Sequence, residues 1–197
     1  MKINLQLRAL VSIAVSAAIS FVLMQFNFNL PFAPAFVKFD LSDVPAFIMA
    51  FSTGPLAGVM TELIKNLLNL FVTSTSGVGE LSNFLLGCMF VVPAGLIYRR
   101  HKTRKTALIA MLTGTLCFAI GGIFSNLFIM FPFYTLVSGI PMEAIIAMCN
   151  KILSFVNTEA EVILLSVTPF NILKGIIVSV VTFLLYKRIT PIIKGKI

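Results

Sequence analysis

The chain has 197 residues, of which 58% are hydrophobic and 11% charged; its mean hydropathy is +1.03 and its formal net charge +8. These values specify an all-α integral membrane protein in which residues 1–197 form one transmembrane domain, with no room for a separate soluble one. The basic excess would suit nucleic acid, but it lies in short connections that offer no folded surface to carry it, which excludes that partner.

In chain order, Lys2 and Arg8 precede a long apolar run, Ala9 to Phe28, within a first span Leu7–Phe28. No small-residue cleavage site followed by a soluble domain is present, so the run reads as an uncleaved helix. Ala14 and Ala18 form a small-xxx-small pattern on it, broadened by Ala9 and Ala17, which suits close approach of another helix. The connection Asn29–Asp43 is rich in Pro and Phe. Val44–Val72 is too long for one ordinary span and is interrupted by the turn signal Ser52-Thr53-Gly54-Pro55. Leu81–Tyr98, Thr106–Phe131 and Val162–Tyr186 each approach the ~20 residues that a bilayer core requires. Between the last two, Pro132–Glu161 holds an amphipathic stretch, Met142–Val156, expected to lie at the surface.

Parity decides how Val44–Val72 is read. If it crosses once, the basic cluster Arg99–Lys105 falls on the same side as Asp40 and Asp43. If it crosses twice, split at Gly54-Pro55, every basic cluster is cytoplasmic and every acidic connection is outside. The C-terminal cluster Lys187, Arg188, Lys194 and Lys196 fits the same partition. The expectation is six helices with both termini cytoplasmic, the short helix Val44–Thr53 needing help from its neighbours to cross. Tyr98, Tyr134 and Tyr186 lie at or beyond helix ends, where their rings suit the headgroup region.

Lys174 carries the strongest chemical signal. A lysine within a span costs roughly 2.5–3.5 kcal/mol on insertion scales, so its position implies a ligand or a buried partner; the alternative is snorkelling. Asn171 precedes it by three residues and shares its face. Asn126, near the outer end of the fifth helix, offers another amide at that depth, or else an interhelical hydrogen bond. Glu80 and Asn83 share a face at the start of the fourth helix. They read equally as a dipole-complementing helix start or as the lining of an outer pocket. Glu62 and Lys65, also three apart, read as a self-neutralising intramembrane pair.

Several chemistries lack their residues. There is no phosphate-binding Gly-x-x-x-x-Gly-Lys-Ser/Thr loop, which excludes ATP hydrolysis by that route. His101 is the only histidine and lies in a basic connection, which excludes a Ser–His dyad in the membrane and a multi-histidine metal site. Cys88, Cys117 and Cys149 are scattered, as packing residues are, and suggest neither disulfides nor a metal centre. No catalytic residue, metal ligand or cofactor site is expected.

One ordered set of segments carries a family likeness: Phe39-Asp40-Leu41-Ser42-Asp43-Val44-Pro45-Ala46, Gly54-Pro55-Leu56-Ala57-Gly58, Gly79-Glu80-Leu81-Ser82-Asn83-Phe84, Pro93-Ala94-Gly95-Leu96-Ile97-Tyr98-Arg99-Arg100 and Pro169-Phe170-Asn171-Ile172-Leu173-Lys174-Gly175. With these the chain resembles the substrate-capture (S) subunits of energy-coupling-factor (ECF) vitamin importers, most closely the riboflavin-specific ones. The resemblance implies a multi-pass protein of the bacterial cell membrane with the six-helix S-component fold and a vitamin site at the extracellular side. It implies that Asn126, Asn171 and Lys174 bind the polar edge of a flavin. Glu80, Asn83, Asp40 and Asp43 would line or close the pocket, with Phe39 and Leu41 in the closing loop. The resemblance also makes Ala14 and Ala18 a docking face for a membrane-scaffold subunit, with two cytoplasmic ATPases supplying energy. Riboflavin is then transported cargo rather than a cofactor. The second outer loop, residues 139–161, is longer than the resemblance leads one to expect.

The competing readings are the same scaffold with another vitamin or a queuosine-like precursor, a small membrane enzyme, and a stand-alone secondary carrier using Glu62. The missing nucleophile, histidine and metal cluster weigh against an enzyme, and the absence of an internal repeat weighs against a carrier.

Overall fold

The structure is a computed structural model in which residues 5–31, 33–34 and 37–195 are described; Lys2 and Lys196 of the basic clusters lie outside them. The elements are α1 (Leu5–Gln25), α2 (Asp43–Ser52), α3 (Pro55–Asn69), α4 (Val78–Arg100), α5 (Arg104–Ser125), α6 (Met142–Asn150), α7 (Glu159–Glu161) and α8 (Thr168–Lys194). Among the described residues, the β structure is an isolated antiparallel bridge between Phe28 and Phe39, which pins the first connection into a hairpin-like loop.

Four stretches are long and apolar enough to cross a membrane: Gln6–Gln25, Val78–Arg100, Arg104–Val137 and Glu159–Lys194. Two of them exceed the sequence-based boundaries and contain π-helical turns. One occupies Asn126–Met130, with a second turn at Phe133–Val137, and another, Val162–Val167, joins α7 to α8. A π turn leaves a carbonyl off the regular ladder. The Thr168 hydroxyl donates to one of these, Ile163 O, at 2.8 Å. Glu161, expected in a connection, instead closes a capping box with Thr158 at the start of this helix.

The chain does break at Gly54. Its φ of 134° is a backbone conformation that L side chains rarely adopt, and Pro55 then opens α3. The preceding helix, α2, is too short to span alone, and all ten of its residues are buried. It runs through the middle of the bundle, in contact with α1, α3, α4 and α8. A helix apolar on every side is stable only when enclosed in this way. Phe47 and Phe51 project from it into the main core, Phe47 edge-on to Phe90 at 4.7 Å and Phe51 stacked on Tyr98 at 4.2 Å.

Those contacts correct the expectation for two tyrosines. Tyr98 and Tyr186 pack inside the bundle around Phe51 rather than facing headgroups, because α2 supplies an aromatic surface there that the span ends alone do not reveal. The connection 139–161 is likewise packed. From α6, Ile145 and Cys149 join Phe131, Val156, Val162, Ile163 and Val167 in a separate cluster beside the end of α5 and the start of α8. On α1, Ala14 and Ala18 are exposed, as a docking face requires, while Ala17 is fully buried against the bundle and does not broaden that face.

The expected Glu62–Lys65 contact forms at 2.6 Å and is larger than a pair. Lys65 Nζ also donates to Asp43 Oδ1 at 2.7 Å and to the Ser42 hydroxyl at 3.3 Å, tying α3 to the start of α2. Lys65 and Glu62 are both wholly inaccessible. Removing the cation strands the buried Glu62 and leaves Asp43 with Lys174 alone, so Lys65→Met is expected to cost about 3–5 kcal/mol of stability, read as a lowered thermal midpoint in detergent. Adding Glu62→Gln to that variant should recover part of the loss.

Candidate functional site

Lys174 lies in the first half of α8 and is buried, neither snorkelling nor facing lipid. Its Nζ donates to Asp40 Oδ2 at 3.1 Å and lies 3.4 Å from Asp43 Oδ2, the latter an electrostatic contact rather than a hydrogen bond. Asp43 holds Lys65 with its other oxygen, so a chain of charges runs Asp40–Lys174–Asp43–Lys65–Glu62 through the interior. Each link answers the burial cost of its neighbours. The carboxylate of Asp40 is itself oriented by the Ser42 N–H, which donates to Oδ1 at 2.8 Å in a local Asx turn.

Above this chain is a cavity of about 450 Å³. It opens where α1 and α3 end and where α4 and α8 begin. The opposite end of the bundle carries Arg8, Arg99, Arg100, Arg104 and Lys194. One wall is polar, formed by Asp40, Lys174, Asn171 and Asn126. The apolar lining comes from Leu86, Phe118, Met130, Val167 and Phe170, while the first loop contributes Val37 and Lys38. The size and the mix of apolar walls with a few convergent polar groups are those of a small-molecule site.

The third side is a hydrogen-bonded rim. Glu80 accepts from Asn69 Nδ2 at 2.8 Å, from the Thr73 hydroxyl at 2.9 Å and from the Thr75 hydroxyl at 3.0 Å. Asn69 accepts in turn from Gln25 Nε2 at 2.9 Å, so the rim links α1, α3 and α4. Glu80 thus organises the connection before its helix and lines the cavity at once, joining the two readings of its position. One turn further into α4, the buried Asn83 Oδ1 has no hydrogen-bond partner, a free acceptor beside the cavity.

Six residues singled out from sequence therefore share this cavity: Asp40, Glu80, Asn83, Asn126, Asn171 and Lys174. Three others are placed elsewhere. Asp43 sits behind Lys174 and is consumed by the two ammonium groups. Phe39 turns away from the cavity into a loop cluster, its ring 5.2 Å from Phe28 and 6.4 Å from Phe170. Leu41 packs beneath it, against both that cluster and the main core. Their role is to seat the first loop, because a loop rich in apolar side chains buries them before it presents them to a ligand. Gln25, Asn69 and the two threonines were not singled out. Their polarity is unremarkable in sequence, and only the meeting of three helix ends brings them together.

The sequence model of the family "ECF transporter, substrate-specific component" matches residues 8–186. The riboflavin transporter RibU of Staphylococcus aureus (strain TCH60) is 32% identical over 194 residues, covering 98% of this chain and 96% of that protein. The riboflavin transporter FmnP of Bacillus subtilis (strain 168) is 31% identical over 190 residues, with 95% and 94% coverage. Among solved structures, the S component of a bacterial ECF transporter superposes with a TM-score of 0.75 at 32% identity, over 96% of this chain and 99% of that one. These relatives are transport components rather than enzymes, and the chain belongs with them to the substrate-specific components of ECF transporters.

Proposed function

We propose that the chain captures riboflavin at the outer face of the bacterial cell membrane and delivers it within an ATP-driven importer. In this reading residues 1–197 form one domain of six spans, α2 and α3 completing the four long ones, with both termini cytoplasmic. The positive-inside rule supports that orientation, since the cavity opens away from the basic end. The carrying observation is the cavity, where a cation and two amides line the same space as apolar and aromatic side chains. A flavin has a flat apolar body, an imide edge of donors and acceptors, and a hydroxylated chain. Lys174, Asn171 and Asn126 suit the imide edge, Phe118 and Phe170 the ring system, and Glu80 with Asn83 the hydroxyls. Asp40 joins the loop to Lys174, so the loop is the cover, with Phe39, Leu41 and Asp43 holding it in register.

The names of the relatives from S. aureus and B. subtilis support riboflavin over another vitamin. The exposed Ala14 and Ala18 are assigned to docking of the membrane scaffold, EcfT, and energy is assigned to two cytoplasmic ATPases. Titration of the purified protein with riboflavin tests the core of the reading: saturable quenching of flavin fluorescence is expected, and its absence overturns it.

Asn171→Ala should weaken riboflavin binding about tenfold, and Lys174→Ala about a hundredfold, as befits loss of a neutral and a charged hydrogen bond. Both variants should still insert, as measured by yield from the membrane fraction. Asp40→Asn should raise the dissociation rate several-fold with little change in association, because the cover loses its ionic anchor; stopped-flow fluorescence separates the two rates. In vesicles, riboflavin should accumulate only when the scaffold, both ATPases and ATP are supplied with the chain; accumulation by the chain alone would favour a secondary carrier.

A further inference from the structure

Two amides of the cavity converge on one residue of α5. Asn126 Nδ2 donates to the Gly122 carbonyl at 2.8 Å. From α8, the Asn171 side chain lies against the Gly122 α-carbon. A β-carbon there would overlap the Asn171 amide nitrogen and stand 3.2 Å from its Cγ. Among the described residues none hydrogen-bonds the Asn171 side chain, so packing in the α5–α8 seam sets its direction. Gly122 has no left-handed φ, and glycine weakens a helix interior relative to alanine; what the position uses is the missing side chain.

The seam has no slack to absorb a methyl group. One turn towards the basic end, a β-carbon at Gly175 would come within 2.7 Å of Thr115 Cγ2, and Thr115 and Ser179 share a 3.3 Å hydrogen bond. With α8 held there, a β-carbon on Gly122 is relieved only by rotation of the Asn171 amide towards the open cavity.

We propose that Gly122 is a positioning residue of the binding cavity. Its bare α-carbon seats the Asn171 amide beside that of Asn126, so that the two present a fixed pair of polar groups to the ligand. The ligand-binding part of this proposal rests on the riboflavin reading; the geometric part does not.

Riboflavin titrations of Gly122→Ala, Asn171→Ala and the double variant test it. Gly122→Ala should bind about tenfold more weakly than wild type, and the double variant no more weakly than Asn171→Ala alone. Wild-type affinity in Gly122→Ala, or additive losses in the double variant, would overturn the proposal. A second readout needs no ligand. In asparagine-¹⁵N-labelled protein, the Asn171 side-chain amide signals, assigned by their loss in Asn171→Ala, should move in Gly122→Ala. Those of Asn150, held in the outer loop by Ser154 O, Val156 O and Asn157, should not. Unmoved Asn171 signals overturn the proposal even if riboflavin proves not to be the ligand, a failure that wild-type titration detects separately. Should Gly122→Ala fail to fold, recovery of folded protein in the double variant supports the contact, and failure of both overturns it.

Discussion

An ammonium group inside a membrane protein persists only where something answers its charge, and the interior of this bundle is arranged around two that must be answered together. Lys174 and Lys65 share Asp43 between them, with Asp40 and Glu62 at the ends of the chain of charges. Because the five groups come from the first loop, α2, α3 and α8, their pairing joins segments up to 134 residues apart. The cavity meets that pairing at its floor, where Asp40 and Lys174 line it, and the loop that Asp40 tethers contributes Val37 and Lys38 to its lining.

Much of this was legible in the sequence, for a reason specific to membranes. Polar residues in apolar spans are expensive, so Lys174, Asn171, Glu62 and Lys65 announce themselves by position alone. The helical repeat then shows which of them share a face, and the split at Gly54-Pro55 follows from turn chemistry and charge parity. What could not be read is which partner crosses from another helix. Nothing local says that Asp40 and not Asp43 faces the cavity, because the choice depends on how α2 is enclosed by its neighbours. The tyrosines mislead for the same reason: a ring near the end of a span satisfies the headgroup pattern equally well when an unseen aromatic helix receives it. The π turns at Asn126–Met130 and Val162–Val167 have no sequence signature at all, although both lie inside the spans read from sequence; the further turn at Phe133–Val137 carries the fifth span past its apparent limit.

The rim and the floor of the cavity solve different problems. The floor balances charge deep in the protein, where a lost partner is costly. The rim, built from Glu80, Asn69, Thr73, Thr75 and Gln25, closes the gap between three helix ends by hydrogen bonds centred on the buried Glu80 carboxylate.

The complete enclosure of α2 has a consequence for biogenesis. A nascent chain emerges from the N-terminus, and when this ten-residue segment leaves the ribosome the helix that will cover one of its flanks, α8, is still more than a hundred residues from being made. With no lipid-facing side and an acidic residue at its head, α2 has no stable lodging until α8 arrives with Lys174. Enclosure of α2 is therefore completed only when α8, the partner furthest from it along the chain, packs against it.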